Sequence, residues 1–291
     1  YLKSDNRSNI SYFLEHNVLL RRFTLSVGVL ANYNSALNEG IHFYPGIDAS
    51  YRIGDNFRLY GSWNRALRMP TFTDLYYEGK TNKGNPDLKP EESEAFEVGL
   101  KYNTYFLRAH IAGFYRKGKN MIDWVKEKPE DIWESQNLTK VDNLGFETNL
   151  SLLPRELGNE RFFIRKIELG YAFIHQDKDS EGYISNYALD YLKHKFTAQL
   201  SHSIWKGFSA TWYVRWQDRA GSYTKYENLK PAYEEPYAPY CLVDMKVNWE
   251  YQRLNLYAEL NNLLNSTYYD LGNIPQPGIW FKAGFRYSFK Y

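Results

Sequence analysis

Residues 281–291 read FKAGFRYSFKY. Phe281, Ala283, Phe285, Tyr287, Phe289 and Tyr291 alternate with Lys282, Gly284, Arg286, Ser288 and Lys290. Successive side chains of a β-strand point to opposite faces, so this stretch is a strand with one apolar and one polar face. A strand in a soluble sandwich alternates in the same way, and the number of segments sharing the pattern decides between them. RLNLYAELNNLL (253–264) places Leu254, Leu256, Ala258 and Leu260 on one face. CLVDMKVNWEY (241–251) places Cys241, Val243, Met245, Val247, Trp249 and Tyr251 together. FSATWYVRWQ (208–217) does the same with Phe208, Ala210, Trp212, Val214 and Trp216. FTLSVGVLANY, FRLYGSWNR, AFEVGLKY, LRAHIAGFYR, FETNLSLL, IELGYAF and KFTAQLSHSI repeat it upstream. Helical spacing fits none of them as well.

The composition narrows the class. A formal net charge of +2 over 291 residues lacks the basic excess of a nucleic-acid footprint. One cysteine, Cys241, excludes an internal disulfide framework. No stretch of 18 apolar residues exists to form a membrane helix, which leaves open a transmembrane barrel, whose strands are only half apolar. With 27 Tyr, 17 Phe and 8 Trp, 18% of the chain is aromatic, a density that suits membrane-interface girdles, a carbohydrate-binding surface, or both. The opening YLKSDNRSNI has no basic start or apolar core of a signal peptide.

Thirteen strands are expected, at 8–20, 22–34, 42–53, 57–66, 92–103, 106–118, 132–153, 164–177, 190–204, 207–218, 239–250, 253–263 and 277–291. Tight turns at Arg21-Arg22, 54–56, 104–106, 205–207 and 251–253 alternate with long polar loops at 67–91, 119–131, 178–189, 219–238 and 264–276. The connection at 154–163 is the longest on the short side. Antiparallel strands joined in order put odd connections at one end and even connections at the other. Short turns at one end and long loops at the other are the layout of an outer-membrane barrel. About ten residues at about 3.4 Å each, tilted about 45°, cross its apolar band of roughly 25 Å. Such barrels close with an even strand number, so an odd count is expected to be a portion whose first strand enters from outside.

The segment WNRALRMPTFTDLYY followed by GNPDLKPEESEAFEVGLKY resembles the signature stretch of TonB-dependent outer-membrane transporters. The residues carrying the resemblance are Arg65-Ala66-Leu67-Arg68-Met69-Pro70-Thr71, Asp74-Leu75-Tyr76, Asn85-Pro86-Asp87-Leu88-Lys89-Pro90-Glu91, Ser93 and Glu97-Val98-Gly99-Leu100. Gly145-Phe146-Glu147 resembles a family strand start. Asn261-Asn262-Leu263, Asn265, Tyr268 and Pro277-Gly278 resemble the family's C-terminal box. Ile279 and Leu264 depart from the usual Arg and Phe. Bottom-up, NPDLKPEES is a rigid re-entry, because its prolines fix φ and cannot donate to a ladder.

The resemblance implies the C-terminal thirteen strands of a 22-stranded barrel closed by an N-terminal plug. It implies import of a scarce bulky nutrient, with a TonB complex acting on the plug, and no enzyme and no cofactor. GFYRKGKNMIDWVKEKPEDIWESQNLTKVDNLGFE looks most like the cobalamin transporters of Bacteroidetes-type bacteria. A ferric siderophore or haem is the alternative cargo, and a soluble carbohydrate-binding β-protein a remote one. The small-molecule ligand would be gripped by loop aromatics, here Tyr76, Tyr77, Tyr223, Tyr226, Tyr233 and Tyr237. Tyr268 and Tyr269 lie at the membrane edge and read as girdle residues. Phe289 and Tyr291 resemble the terminal signal read by the barrel-assembly machinery. Outer-membrane lipid is a further partner, and the class leaves room for a surface-exposed lipoprotein. The other strand faces mix charges at Arg58, Glu97, Lys101, Arg108, Arg116, Glu147, Glu168, Arg215, Asp244, Lys246, Glu259 and Arg286, which suits a plugged lumen.

Catalytic and metal chemistry finds little support. His16, His42, His110, His175, His194 and His202 have no metal spacing. Glu92 and Glu94 share a strand face and read as solvated. Glu127, Glu130, Asp131 and Glu134 lack the dense oxygen spacing of a calcium loop. The Asn-x-Ser/Thr matches at Asn6, Asn9, Asn137 and Asn265 read as chance.

Overall fold

The structure is a computed structural model that describes all residues except 1–5, 36–39, 129, 159–160, 180–181, 186–190, 229 and 290–291. Its elements are β1 (Asn9–Leu19), β2 (Phe23–Asn34), β3 (Ile41–Ile53), β4 (Phe57–Arg68), α1 (Phe72–Tyr76), β5 (Asn82–Lys83), β6 (Glu91–Asn103), β7 (Leu107–Lys126), β8 (Trp133–Leu152), β9 (Ile164–Asp179), β10 (Ile184–Ser185), β11 (Leu192–Trp205), β12 (Phe208–Arg219), β13 (Ser222–Glu227), β14 (Lys230–Pro236), β15 (Tyr240–Tyr251), β16 (Leu254–Asn261), β17 (Tyr269–Leu271), β18 (Ile274–Pro275) and β19 (Trp280–Tyr287). A 3₁₀ turn, Pro154–Leu157, sits in the connection before β9.

Thirteen strands form one row, β1-β2-β3-β4-β6-β7-β8-β9-β11-β12-β15-β16-β19, and each matches one expected from the periodicity. β10 pairs with β7, and β5 with β8, off that row. Four expectations need correcting. The loop expected at 119–131 is largely strand, because β7 continues to Lys126; Asn120, with φ of 52°, inserts an irregularity where the pattern breaks. The loop expected at 219–238 folds into its own hairpin, β13–β14, and that at 264–276 carries β17–β18. The final strand is shorter than expected, running from Trp280 to Tyr287.

The chain divides into two units, residues 1–100, 112–146 and 175–189, and residues 101–111, 147–174 and 190–291. In the first, β1 to β4 pair in antiparallel sequence, and the exposed side chains Tyr12, Leu14, Val27, Phe43, Ile47 and Leu59 share one sheet face. Its buried apolar residues are Leu75, Leu88, Ala112, Trp124, Val125 and Val141. In the second, β9-β11-β12-β15-β16-β19 pair antiparallel. Phe281 and Phe285, from the opening stretch, are 61% and 73% exposed. Large apolar side chains standing outward along strand after strand are stable only against a non-aqueous solvent.

The polar face is equally ordered. Lys246, Glu259 and Lys282 are direct cross-strand partners, and Glu259 binds the two lysines at 2.7 and 2.5 Å. Short turns at one end use left-handed residues: Gly207, with φ of 81°, lies so close to the Glu250 carbonyl that a Cβ would stand 2.5 Å from it. No helix among the described residues is long and apolar enough to cross a membrane, which says nothing about strands.

Candidate functional site

The long-loop end of the first unit holds a folded plug of chain between β4 and β6. Thr71 caps α1, its hydroxyl accepting from the Asp74 N–H while Asp74 accepts from the Thr71 N–H. Gly84 packs against the helix backbone, where a Cβ would stand 2.8 Å from the Leu75 carbonyl carbon. Its N–H donates to the Tyr77 carbonyl at 2.6 Å, and the Asn85 N–H donates to that of Asp74 at 2.8 Å. Asn85 also accepts from the Asp87 N–H, forming the tight turn before Leu88.

The base of this loop is clamped. Arg68 donates twice to Glu91, at 2.5 and 2.6 Å, and the nearly buried Glu91 also accepts the Ile122 N–H at 2.8 Å. Asn137 donates to the Lys89 carbonyl and accepts its N–H, and reaches the Asn120 carbonyl at 2.6 Å. The side chain of one chance-looking sequence motif thus ties β7, β8 and the approach to β6 together. Tyr76 stacks on Phe72 at 6.2 Å, and Tyr77 meets Trp124 edge-on at 6.4 Å. Both predicted ligand tyrosines therefore pack the loop.

In the second unit the hairpin tyrosines separate into two groups. Tyr223 lies 5.1 Å from Tyr237 and 5.9 Å from Tyr269, and Tyr240 lies 4.7 Å from Tyr268. The Arg219 guanidinium sits 4.4 Å over Tyr237 and donates to the Asp270 carbonyl at 2.6 Å. Tyr240 donates to Gln217 and, at 3.0 Å, to the Asp270 carboxylate. Leu192, Gln217, Arg219, Tyr237, Ala238, Tyr240, Tyr269 and Asp270 line a notch of about 280 Å³. That is just under the roughly 300 Å³ of the smallest whole-ligand pockets, so the notch can grip a ring or an edge of a larger ligand. Tyr226 and Tyr233 stand apart from it and are 54% and 52% exposed.

The notch is braced from behind. Asn273 donates to the Thr224 carbonyl at 2.7 Å and accepts the Tyr226 N–H at 3.2 Å, joining the two loop hairpins. Lys225 lies 5.9 and 5.7 Å from the Tyr223 and Tyr269 rings. Desolvation pulls its ammonium down, but the combined pull of Tyr223, Glu235, Tyr269 and Tyr233 outweighs it and holds it above the ordinary lysine value. It is therefore charged at neutral pH.

Sequence reasoning missed Arg219 and Asp270 and read Tyr268 and Tyr269 as girdle residues. Gln217 and Tyr240 are cross-strand partners, which brings the ends of β12 and β15 together with the segment carrying Tyr268 to Asp270. That long-range pairing has no local sequence signal.

The motif residues of the C-terminal box are architectural. Asn262, 3% exposed, donates to the carbonyls of Ser266 and Pro277 and accepts the Ser266 N–H, while its own N–H meets Asp244. Asn265 accepts the Ile279 N–H at 3.1 Å, and a Cβ on Gly278 would stand 2.5 Å from its amide oxygen. On the polar strand face, Lys101, Arg108, His110, Glu168, Arg215 and Asp244 line a cavity of about 630 Å³. Glu92 and Glu94 share a face as expected, and both approach Arg65, at 3.6 and 3.3 Å. Phe289 is exposed beyond β19, edge-on to Tyr287 at 4.9 Å. Tyr291 lies outside the described residues. Among those residues no group of three His, Cys, Asp or Glu stands ready to hold a metal.

An antiparallel row with outward apolar faces, short turns at one end and folded loops at the other defines an outer-membrane β-barrel protein. The chain belongs to the TonB-dependent receptor-like β-barrel family, whose model matches residues 1–263. This is a receptor family of the outer membrane and not an enzyme class. The chain is 26% identical over 225 residues to the vitamin B12 transporter BtuB of Vibrio vulnificus, covering 58% of the chain and 36% of that protein. It is 22% identical over 297 residues to the ferrienterobactin receptor of Escherichia coli, covering 92% of the chain and 38% of the relative. The chain thus spans about a third of the length of these curated relatives. The ferric enterobactin receptor PfeA of Pseudomonas aeruginosa shares its fold, with a TM-score of 0.76 at 20% identity over 97% of this chain and 46% of that one.

Proposed function

We propose that the chain serves TonB-dependent import of a scarce, bulky nutrient across the outer membrane, with cobalamin as the cargo. The notch at Arg219, Tyr237, Tyr240 and Tyr269 carries this reading. Its aromatic faces offer flat apolar contact, and Arg219 and Asp270 supply the few polar groups that orient a ligand. Of the predicted tyrosines, Tyr237 lines this grip and Tyr223 packs against it, Tyr226 and Tyr233 form an exposed outer approach, and Tyr76 and Tyr77 support the loop between β4 and β6. Likeness to vitamin B12 transporters supports the cargo.

In this reading no bond is made or broken. Ligand is held at the long-loop end, and a TonB complex supplies work to a plug segment, so the residues bind and orient without catalysing. The barrel-assembly machinery, surrounding lipid and a surface lipoprotein are the further partners proposed. A second cargo, a ferric siderophore, draws support from the ferrienterobactin receptor, whose alignment covers more of this chain. Equilibrium binding of cobalamin and of ferric enterobactin to the purified full-length protein separates the two. Cobalamin binding that ferric enterobactin fails to displace is expected, and the reverse would transfer the assignment to the siderophore.

A further inference from the structure

The two aromatic walls of the notch come from different elements. Tyr237 follows β14, whereas Tyr269 and Asp270 belong to β17. β13–β14 and β17–β18 each form a two-stranded sheet of their own, off the barrel row. A two-stranded hairpin by itself is marginally stable in water. A ligand gripped between these two therefore meets a complete notch only while both stand in place together.

Asn273 ties them. It lies in the turn between β17 and β18 with φ of 64°, a left-handed conformation that asparagine tolerates. From there its side chain donates to the Thr224 carbonyl at 2.7 Å and accepts the Tyr226 N–H at 3.2 Å, both on β13. The residue before it completes the fit. A Cβ on Gly272 would run into Cβ and Cγ of Tyr223, so glycine is what lets the turn close against that side chain. Tyr223 in turn stands 5.1 Å from Tyr237 and 5.9 Å from Tyr269, spacing one wall from the other. Neither Asn273 nor Gly272 lines the notch, so both act on it through other residues.

We propose that Asn273 is a positioning residue of the ligand grip: by joining the two hairpins, with Gly272 admitting Tyr223, it holds the notch assembled before ligand arrives. This role rests on the notch being the grip for imported cargo, and it holds for cobalamin and a ferric siderophore alike. Its consequence is kinetic. Apparent affinity scales with the fraction of free protein whose notch is assembled. Loss of the tie therefore lowers the apparent association rate and leaves the complex, once formed, to dissociate as before.

The test uses full-length protein in nanodiscs, with cobalamin as the probe and stopped-flow to separate the two rates. Asn273→Gly keeps the left-handed turn and removes both hydrogen bonds. Its association rate is expected to fall about tenfold, the scale of two net hydrogen bonds, with the dissociation rate within about twofold of native. Gly272→Ala leaves Asn273 in place but forces the turn off Tyr223, and the same split is expected. Asn228→Gly makes the same change at another left-handed asparagine, beyond the end of β13, and is expected to alter neither rate. Amide exchange of the ligand-free protein gives a readout that needs no cargo. Exchange at Tyr226 should quicken in Asn273→Gly and match native again at saturating cobalamin. An unchanged association rate in Asn273→Gly would overturn the role, as would a loss confined to the dissociation rate. So would ligand-free exchange at Tyr226 equal to native. Failure of the native protein to bind either cobalamin or ferric enterobactin would instead remove the notch as a grip, and this role with it.

Discussion

Asn262 is nearly buried and makes four hydrogen bonds through its side chain and N–H. Asn262→Ala leaves the Ser266 N–H and the carbonyls of Ser266 and Pro277 without that partner, a loss of about 2–4 kcal/mol. The thermal midpoint of heat-modifiable migration should fall clearly, and an unchanged midpoint would mean that the box is not held by this amide. At the notch, Tyr237→Ala removes the ring beneath Arg219 and should weaken cobalamin binding about tenfold, the scale of one aromatic contact. Tyr226→Ala, outside the notch, should change it less than threefold by the same reasoning. A larger effect from Tyr226 would move the grip to the hairpin tip.

Among the elements, the loop between β4 and β6 depends on one clamp at its base. Glu91→Ala removes the Arg68 pair and the acceptor for the Ile122 N–H. Because Arg68 is half exposed, the loss is about 1–2 kcal/mol and local rather than global. Proteolysis within residues 69–90 should accelerate about tenfold while the strands resist. Uniform cleavage along the chain would show that the clamp supports more than its loop.

The strands were legible because a half-buried strand prints its two environments on alternate residues, and all thirteen row strands carry that print. The loop hairpins β13–β14 and β17–β18 were not, since their strands run only two to seven residues, too short for a period to separate strand from coil. The extension of β7 escaped because Asn120 breaks the alternation that identified it. Recognisable motif residues such as Arg68, Glu91 and Asn262 were legible as a pattern. Their structural work depends on partners far along the chain, which spacing alone does not contain. The same holds for the notch, which is lined by Tyr237 of the six predicted tyrosines, with Tyr223 packed against that ring.

At the scale of the molecule, each row strand has a lipid face and a lumen face. Leu200 and its neighbour Gln199, near the middle of β11, test that division directly. Leu200→Arg places a charge against hydrocarbon and should cost about 2–4 kcal/mol, whereas Gln199→Arg on the polar face should cost under about 1. Comparable losses, read as folding yield into lipid vesicles, would contradict the assignment of faces. The import reading makes a different demand, which no single residue can meet. The measurement that tests it most directly is uptake of labelled cobalamin by cells whose only route is the full-length protein, with TonB present or deleted. Accumulation is expected with TonB present and should vanish without it although the protein remains in the outer membrane. Uptake that persists without TonB would contradict energised import, and no uptake in either strain would remove cobalamin as the cargo.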